Sequence, residues 1–205
     1  AANYLTRPPK RSDVLSVFAG LRPLAAPRSE GKKTKEISRS HKLIREKSGL
    51  ITIIGGKWTT YRKMAQDTLD LAIRYMHIPT KDCITERYQI HGSRKNPDFS
   101  DPLYVYGTDA DEIRNLVASS PAMAEKLHPD YAYTVGEVTW LVRNEMPRTL
   151  EDVLARRLRI LFLDARAAMA MAPKVAGILA TEWGKDETWT SAQVKAFNEV
   201  ASNYI

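Results

Sequence analysis

Disulfide pairs and long apolar runs are both missing from this sequence. The single cysteine, Cys83, has no partner for an internal disulfide. No stretch approaches the roughly 18 apolar residues that a membrane span needs, so the chain is expected to be soluble. No G-x-G-x-x-G occurs anywhere, which excludes the glycine-rich turn that grips a dinucleotide pyrophosphate from these residues. No start methionine, signal peptide or transit segment is visible in the sequence, and the chain is expected to be a fragment. Recognition-helix, RNP and zinc-finger patterns are absent too, so nucleic acid is not an expected partner, and no metal site is expected.

What is present is a basic chain of 205 residues with a formal net charge of +7, long enough for one large domain or two small ones. Much of the excess lies between Arg7 and Lys63, and Lys32, Lys33 and Lys35 fall in a stretch bounded by Gly and Pro that reads as an exposed loop. An acidic membrane surface or a phosphorylated small molecule would suit this charge; a solvated face is the ordinary explanation.

The stretch around which the chain is organised is Leu50-Ile51-Thr52-Ile53-Ile54 followed by Gly55-Gly56-Lys57-Trp58-Thr59-Thr60. Five apolar or β-branched residues predict a buried strand. The Gly pair predicts a turn with positive φ, and Met64, Thr68, Leu71 and Tyr75 at spacings of three and four predict a helix over 59–75. A helix start leaves unpaired N–H groups with partial positive charge, and Lys57 adds a full one, so a ligand of negative or developing negative charge fits there. A strand-turn-helix joint of purely structural meaning fits equally well.

Before this joint, residues 13–19 read as a strand leaving its sheet at Gly20-Leu21-Arg22-Pro23. Arg22 at that end could hold a carboxylate or phosphate, stabilise an alkoxide, or simply be a loop cation. Residues 37–44 alternate weakly and predict a second strand, hairpin-paired with the central one through Lys47-Ser48-Gly49. Arg39 is a second placed cation on it, or a solvated edge arginine, and His41 receives no role. A short strand is expected near 84–90. Turn residues and charge in Gly92-Ser93-Arg94-Lys95-Asn96-Pro97 mark a domain limit.

The remainder predicts helices over 109–118 and 121–127, then helix starts capped by Thr134 with Glu137, Thr149 with Asp152, and Thr190 with Gln193. Leu150, Val153, Leu154, Leu158, Leu161 and Phe162 form one apolar stripe, and Val138, Leu141, Val142 and Met146 another. Residues 165–183 read as a central helix kinked or broken at Pro173. Arg143, Glu145, Arg148, Glu151, Arg156, Arg157 and Asp164 crowd the helix junctions and are read as structural ion pairs that set helix orientation.

Three blocks in order, Ser16-Val17-Phe18-Ala19-Gly20-Leu21-Arg22-Pro23-Leu24, Ile37-Ser38-Arg39-Ser40-His41, and Ile54-Gly55-Gly56-Lys57-Trp58-Thr59-Thr60-Tyr61-Arg62-Lys63, resemble the flavin-dependent glycerol-3-phosphate dehydrogenases. The similarity continues through Thr149-Leu150-Glu151-Asp152-Val153-Leu154-Ala155-Arg156-Arg157 and Leu161-Phe162-Leu163-Asp164. It implies an α+β fragment. Residues 1–92 would close the FAD-binding and substrate-cap regions, and residues 95–205 would form an all-α C-terminal domain. The implied reaction oxidises sn-glycerol 3-phosphate to dihydroxyacetone phosphate, with FAD as cofactor and quinone as acceptor. A peripheral position on the membrane at its cytoplasmic side and a homodimer complete the expected context.

By the same resemblance, Gly55, Gly56, Lys57, Trp58 and Thr59 would line the flavin. Arg22 would lie beside the substrate's C2 oxygen, Arg39 would help bind its phosphate, and Lys57 would serve substrate or flavin, with Arg22 and Lys57 as the catalytic pair. Trp58 departs from the smaller apolar residue expected there. Two alternatives stand beside this reading: a glycerol-3-phosphate oxidase that uses oxygen, and a helical interaction or membrane-docking module.

Overall fold

The computed structural model describes residues 4–21 and 40–205. The chain divides into two units, one of Gly20–Ile90 and one that joins Ala1–Ala19 to His91–Ile205.

In the first unit the expected hairpin is present. Strands β1 (Lys42–Arg45) and β2 (Ile51–Ile54) pair antiparallel, with Lys42 opposite Ile54 and Arg45 opposite Ile51. The turn closes through Glu46 N–H to Leu50 C=O at 2.9 Å and Gly49 N–H to Glu46 C=O at 3.0 Å. Gly49 has φ of +90°, a conformation open to glycine because it has no Cβ to clash. Residues 37–39 of the expected first strand lie outside the described residues. A single turn of 3-10 helix, Trp58–Thr60, leads into α1 (Tyr61–Met76), which packs on β2. The Arg45 guanidinium sits 3.8 Å above the centre of the Tyr75 ring, fastening β1 to the far end of α1. All four β2 residues are half-buried rather than buried, since α1 is the one α-helix of this unit among the described residues. The strand expected near 84–90 is absent. Residues 85–87 form a turn, and Ile84, Tyr88 and Ile90 are exposed.

The second unit is helical: α2 (Ala110–Ala118), α3 (Pro121–Ala124), α4 (Val135–Asn144), a π-helical turn (Asp152–Arg157), α5 (Ile160–Leu163), α6 (Ala165–Trp183) and α7 (Glu187–Ala201). Helix α6 is the centre, with α4, α5 and α7 against it. Ala168, Met171, Ala172, Val175, Ala176 and Leu179 recur at three- and four-residue spacing and are all fully buried. Pro173 lies within α6 without ending it. Helix α3 is shorter than expected, because Lys126 leaves it to bridge Thr134. Leu150, Val153, Leu154, Leu158 and Leu161 form the buried stripe expected of them, with Phe162 packed at its edge. Met146 leaves the second stripe. It takes a positive φ after α4 ends and is 82% exposed.

The caps divide three ways. Thr149 and Asp152 form both arms of a capping box, each side chain accepting the other's N–H at 3.1 Å. The Thr134 hydroxyl accepts the N–H of Glu137, and the Thr134 backbone acts in turn on the Glu137 carboxyl as a weaker return contact. Thr190 caps nothing: α7 starts at Asp186, whose side chain accepts the Trp189 N–H, and Thr190 lies inside the helix with its hydroxyl on the Asp186 carbonyl. Gln193 instead accepts the N–H of Leu150. Of the charged residues at helix junctions five pair as expected, while Arg148 gives only its backbone N–H to Asp152 and Asp164 caps α6 through the Ala167 N–H. Arg143 holds Glu182 with two 2.8 Å bonds, joining α4 to α6, while Arg156 contacts Glu151 and Asp152 and Arg157 contacts Glu145.

Glu137 is 4% exposed and accepts a 2.6 Å hydrogen bond from the Tyr106 hydroxyl. Burial dominates its titration and raises its pKa from 4.5 to about 7, against smaller opposing effects of the Tyr106 and Thr134 hydrogen bonds. The protonated acid is therefore the form the fold favours. This contribution is fully present below about pH 4.5 and is lost as pH rises through about 7. Relative to Glu137→Gln, the native chain is expected to lose about 3 kcal/mol between those limits. Urea unfolding of both proteins at pH 4.5 and pH 8 measures it, and an unchanged difference between them contradicts it.

Candidate functional site

The hairpin register carries one step beyond the strands. Since Lys42 pairs with Ile54, His41 falls opposite Gly55 where the chain turns toward α1. Gly55 and Gly56 have φ of +74° and +86°, so the backbone turns here in a way that L side chains resist. A Cβ on Gly56 would lie 2.5 Å from Met64 Sδ and 3.3 Å from His41 Cβ. The turn is thus pinched between the residue before β1 and the first turn of α1.

Beyond it, Lys57 precedes the 3-10 turn, and the Thr60 hydroxyl donates to its carbonyl at 2.9 Å. A pocket of about 310 Å³ opens here, lined by Ser40, His41, Lys57, Thr60 and Lys63. Asp67, one turn further along α1, accepts from Lys63 Nζ at 2.8 Å and contacts His41 Nε2 at 2.9 Å. The Lys63 hydrogen bond holds the Asp67 carboxyl below its ordinary pKa, and Asp67 in turn raises that of Lys63. One carboxylate therefore serves two basic groups, while Lys57 forms no ion pair with any described residue. The pocket carries net positive charge and two hydroxyls, a set suited to an anion.

Of the expected site residues, Gly55, Gly56 and Lys57 stand at this turn. Trp58 and Thr59 follow on the exposed side, where the Trp58 ring is 89% exposed and lies 6.1 Å from that of Tyr61, centre to centre. Arg22 and Arg39 lie outside the described residues. The sequence reading passed over His41, Thr60 and Lys63. Two signals locate them: the hairpin count that sets His41 opposite Gly55, and the spacing 57, 60, 63 that puts three side chains on one side of the helix start. An apolar depression of about 390 Å³ lies elsewhere on the same helix, lined by Ile53, Tyr61, Met64, Ala65, Thr68 and Leu69, and it has no charged group to orient a polar ligand.

Comparison with known proteins places this geometry in context. The chain is 32% identical over 248 residues to the mitochondrial glycerol-3-phosphate dehydrogenase SDP6 of Arabidopsis thaliana, covering 98% of this chain and 39% of the relative. It is 36% identical to a probable mitochondrial glycerol-3-phosphate dehydrogenase of Caenorhabditis elegans, covering 96% and 29%. A probable enzyme of the same name from Dictyostelium discoideum is 34% identical, with 95% and 33% covered. The chain thus spans between 29% and 39% of the length of these relatives. Residues 50–190, from the central strand through α7's first turn, match the family described as the C-terminal domain of alpha-glycerophosphate oxidase, and the chain belongs to that family.

Proposed function

We propose that this chain forms the C-terminal part of an FAD-dependent enzyme that oxidises sn-glycerol 3-phosphate to dihydroxyacetone phosphate. The observation that carries the reading is Lys57, a cation without an ion pair among the described residues, at a Gly-Gly turn beside a pocket of basic and hydroxyl groups. The relatives named glycerol-3-phosphate dehydrogenase support the substrate. FAD fits the turn chemically. Two half-buried glycines with positive φ turn the chain beside the pocket, and Lys57 would offer positive charge where negative charge collects on reduction.

When bound, FAD supplies the acceptor for the hydride leaving C2 of the substrate. The residues of this chain would do the rest. Arg22 would hold the C2 oxygen as its proton leaves, favouring the alkoxide-like form. Arg39 would fork onto the phosphate, and Lys57 would bridge substrate and flavin edge. Gly55, Gly56, Trp58 and Thr59 would shape the wall against the ring.

Quinone as final acceptor calls for contact with a membrane surface. No helix among the described residues is long and apolar enough to cross a membrane, and the reading takes the contact as peripheral, in a homodimer. The mitochondrial names of the relatives favour a mitochondrial surface over the cytoplasmic one expected from the sequence. Oxygen is the rival acceptor, favoured by the oxidase in the family's description, and hydrogen peroxide released per substrate consumed separates the two.

Lys57→Met in the complete protein tests the site. Loss of a charge-assisted contact to the substrate is expected to raise KM for sn-glycerol 3-phosphate about tenfold to a hundredfold. If flavin content, KM and kcat all stay as in the native protein, Lys57 is not in the site.

A further inference from the structure

Asp67 is not among the residues that line the pocket at Lys57, yet it holds two that are. Its Oδ1 accepts from Lys63 Nζ at 2.8 Å, and its Oδ2 meets His41 Nε2 at 2.9 Å. Each carboxylate oxygen is thus taken by a different wall, one from α1 and one from the hairpin. The Lys63 ammonium has three N–H groups, so one bond to Asp67 leaves donors for a ligand. The other charges acting on Lys63, Asp70 and Arg62, oppose each other.

With His41 neutral, Lys57 and Lys63 stand against the single charge of Asp67, and the pocket is left with about one positive charge. A phosphate monoester carries close to two negative charges at neutral pH, with three strong acceptor oxygens, and two ammonium groups suit it. An enzyme that binds phosphate in its substrate must also release it in its product. Tighter hold on both does nothing for the step between them, so a carboxylate that cancels part of the attraction has a use.

We propose that this pocket holds the phosphate group of the substrate and that Asp67, acting through Lys63 and His41, limits the strength of that hold. The proposal rests on the reading of sn-glycerol 3-phosphate as substrate, and adds Lys63, His41 and Asp67 to the residues that serve it. Asp67 as a mere strap predicts the opposite sign. Without a strap the walls loosen and an anion binds more weakly; without a counter-charge it binds more tightly. Helix α1 places the Lys63 backbone and the hairpin register places that of His41, so removal of the carboxylate frees charge and leaves both walls standing.

Inorganic phosphate titrated calorimetrically into the complete protein, with KM for sn-glycerol 3-phosphate measured beside it, tests this. Asp67→Asn is expected to tighten phosphate about threefold to tenfold at low salt and to lower KM by a similar factor, with most of the gain lost at high salt. Lys63→Met is expected to weaken phosphate and raise KM by about the same factor, and carries the test should Asp67→Asn fail to fold. Phosphate bound no more tightly by a folded Asp67→Asn protein, or equally well by Lys63→Met, overturns the proposal. So does a change in flavin retention with KM unmoved, which would give the pocket to a phosphate of FAD. Failure of the substrate reading is seen separately, in a native flavin that sn-glycerol 3-phosphate does not reduce.

Discussion

Arg22→Ala in the complete protein is expected to lower kcat for sn-glycerol 3-phosphate oxidation by about a thousandfold. The argument is electrostatic. As hydride leaves C2 and the hydroxyl proton departs, charge gathers on the C2 oxygen. On the proposed reading a guanidinium beside that oxygen would stabilise the charge, and removal of one such donor costs about 10²–10³ in rate. KM should move much less, because the ground-state hydroxyl is neutral and gains little from the cation. Arg22→Lys should fall between the two, since an ammonium restores charge but not the planar fork. Steady-state kinetics on flavin-replete enzyme measure this, and turnover left intact by Arg22→Ala removes the residue from the mechanism.

Gly107→Ala carries the largest expected effect on folding. Gly107 sits at φ +55° and ψ −120° between a 3-10 turn and α2, a combination in which a side chain is strained. A Cβ there would lie 1.6 Å from the Gly92 carbonyl oxygen. That obstacle is backbone, and it is the same carbonyl that accepts the Thr108 N–H at 3.1 Å, so yielding to the methyl breaks the bond that closes the loop. Strain and lost hydrogen bond together are expected to destabilise the helical unit by more than about 3 kcal/mol. Gly177→Ala is the internal control. It lies in the middle of α6 with nothing within 4 Å of the added Cβ, and is expected to stabilise by about 0.5–1 kcal/mol. Urea unfolding of the two variants reads both signs, and a Gly107→Ala chain as stable as the native one contradicts the geometry.

Local physics decided which elements the sequence made legible. The hairpin followed from weak alternation before Lys47-Ser48-Gly49 and a continuous apolar run after it, and α6 from its run of small apolar residues, because these patterns act within a few residues. The Gly55–Gly56 turn was legible because positive φ at both positions leaves little other choice. Residues 13–19 misled for a physical reason. Val14, Leu15, Val17 and Phe18 have strand chemistry, yet the Leu15 carbonyl and the Val17 N–H go to helix ends distant in sequence, and nothing local announces that. Thr190 misled similarly: a Thr three residues before Gln193 imitates a cap, but Asp186 had already started the helix. Met146 kept the stripe's spacing but not its helix, which ends at Asn144. At the site, Lys57 was legible from its place after two glycines. His41 was not, since its position depends on the pairing of two strands rather than on its neighbours in sequence.

The central claim is that the anion-friendly turn around Lys57 belongs to a flavin site that takes sn-glycerol 3-phosphate. The most direct measurement is the visible spectrum of the complete gene product, purified without added cofactor, before and after anaerobic addition of that substrate. The account predicts a yellow protein whose flavin band bleaches on mixing. A colourless protein, or a flavin left oxidised by sn-glycerol 3-phosphate but reduced by another α-hydroxy compound or an amine, would contradict it.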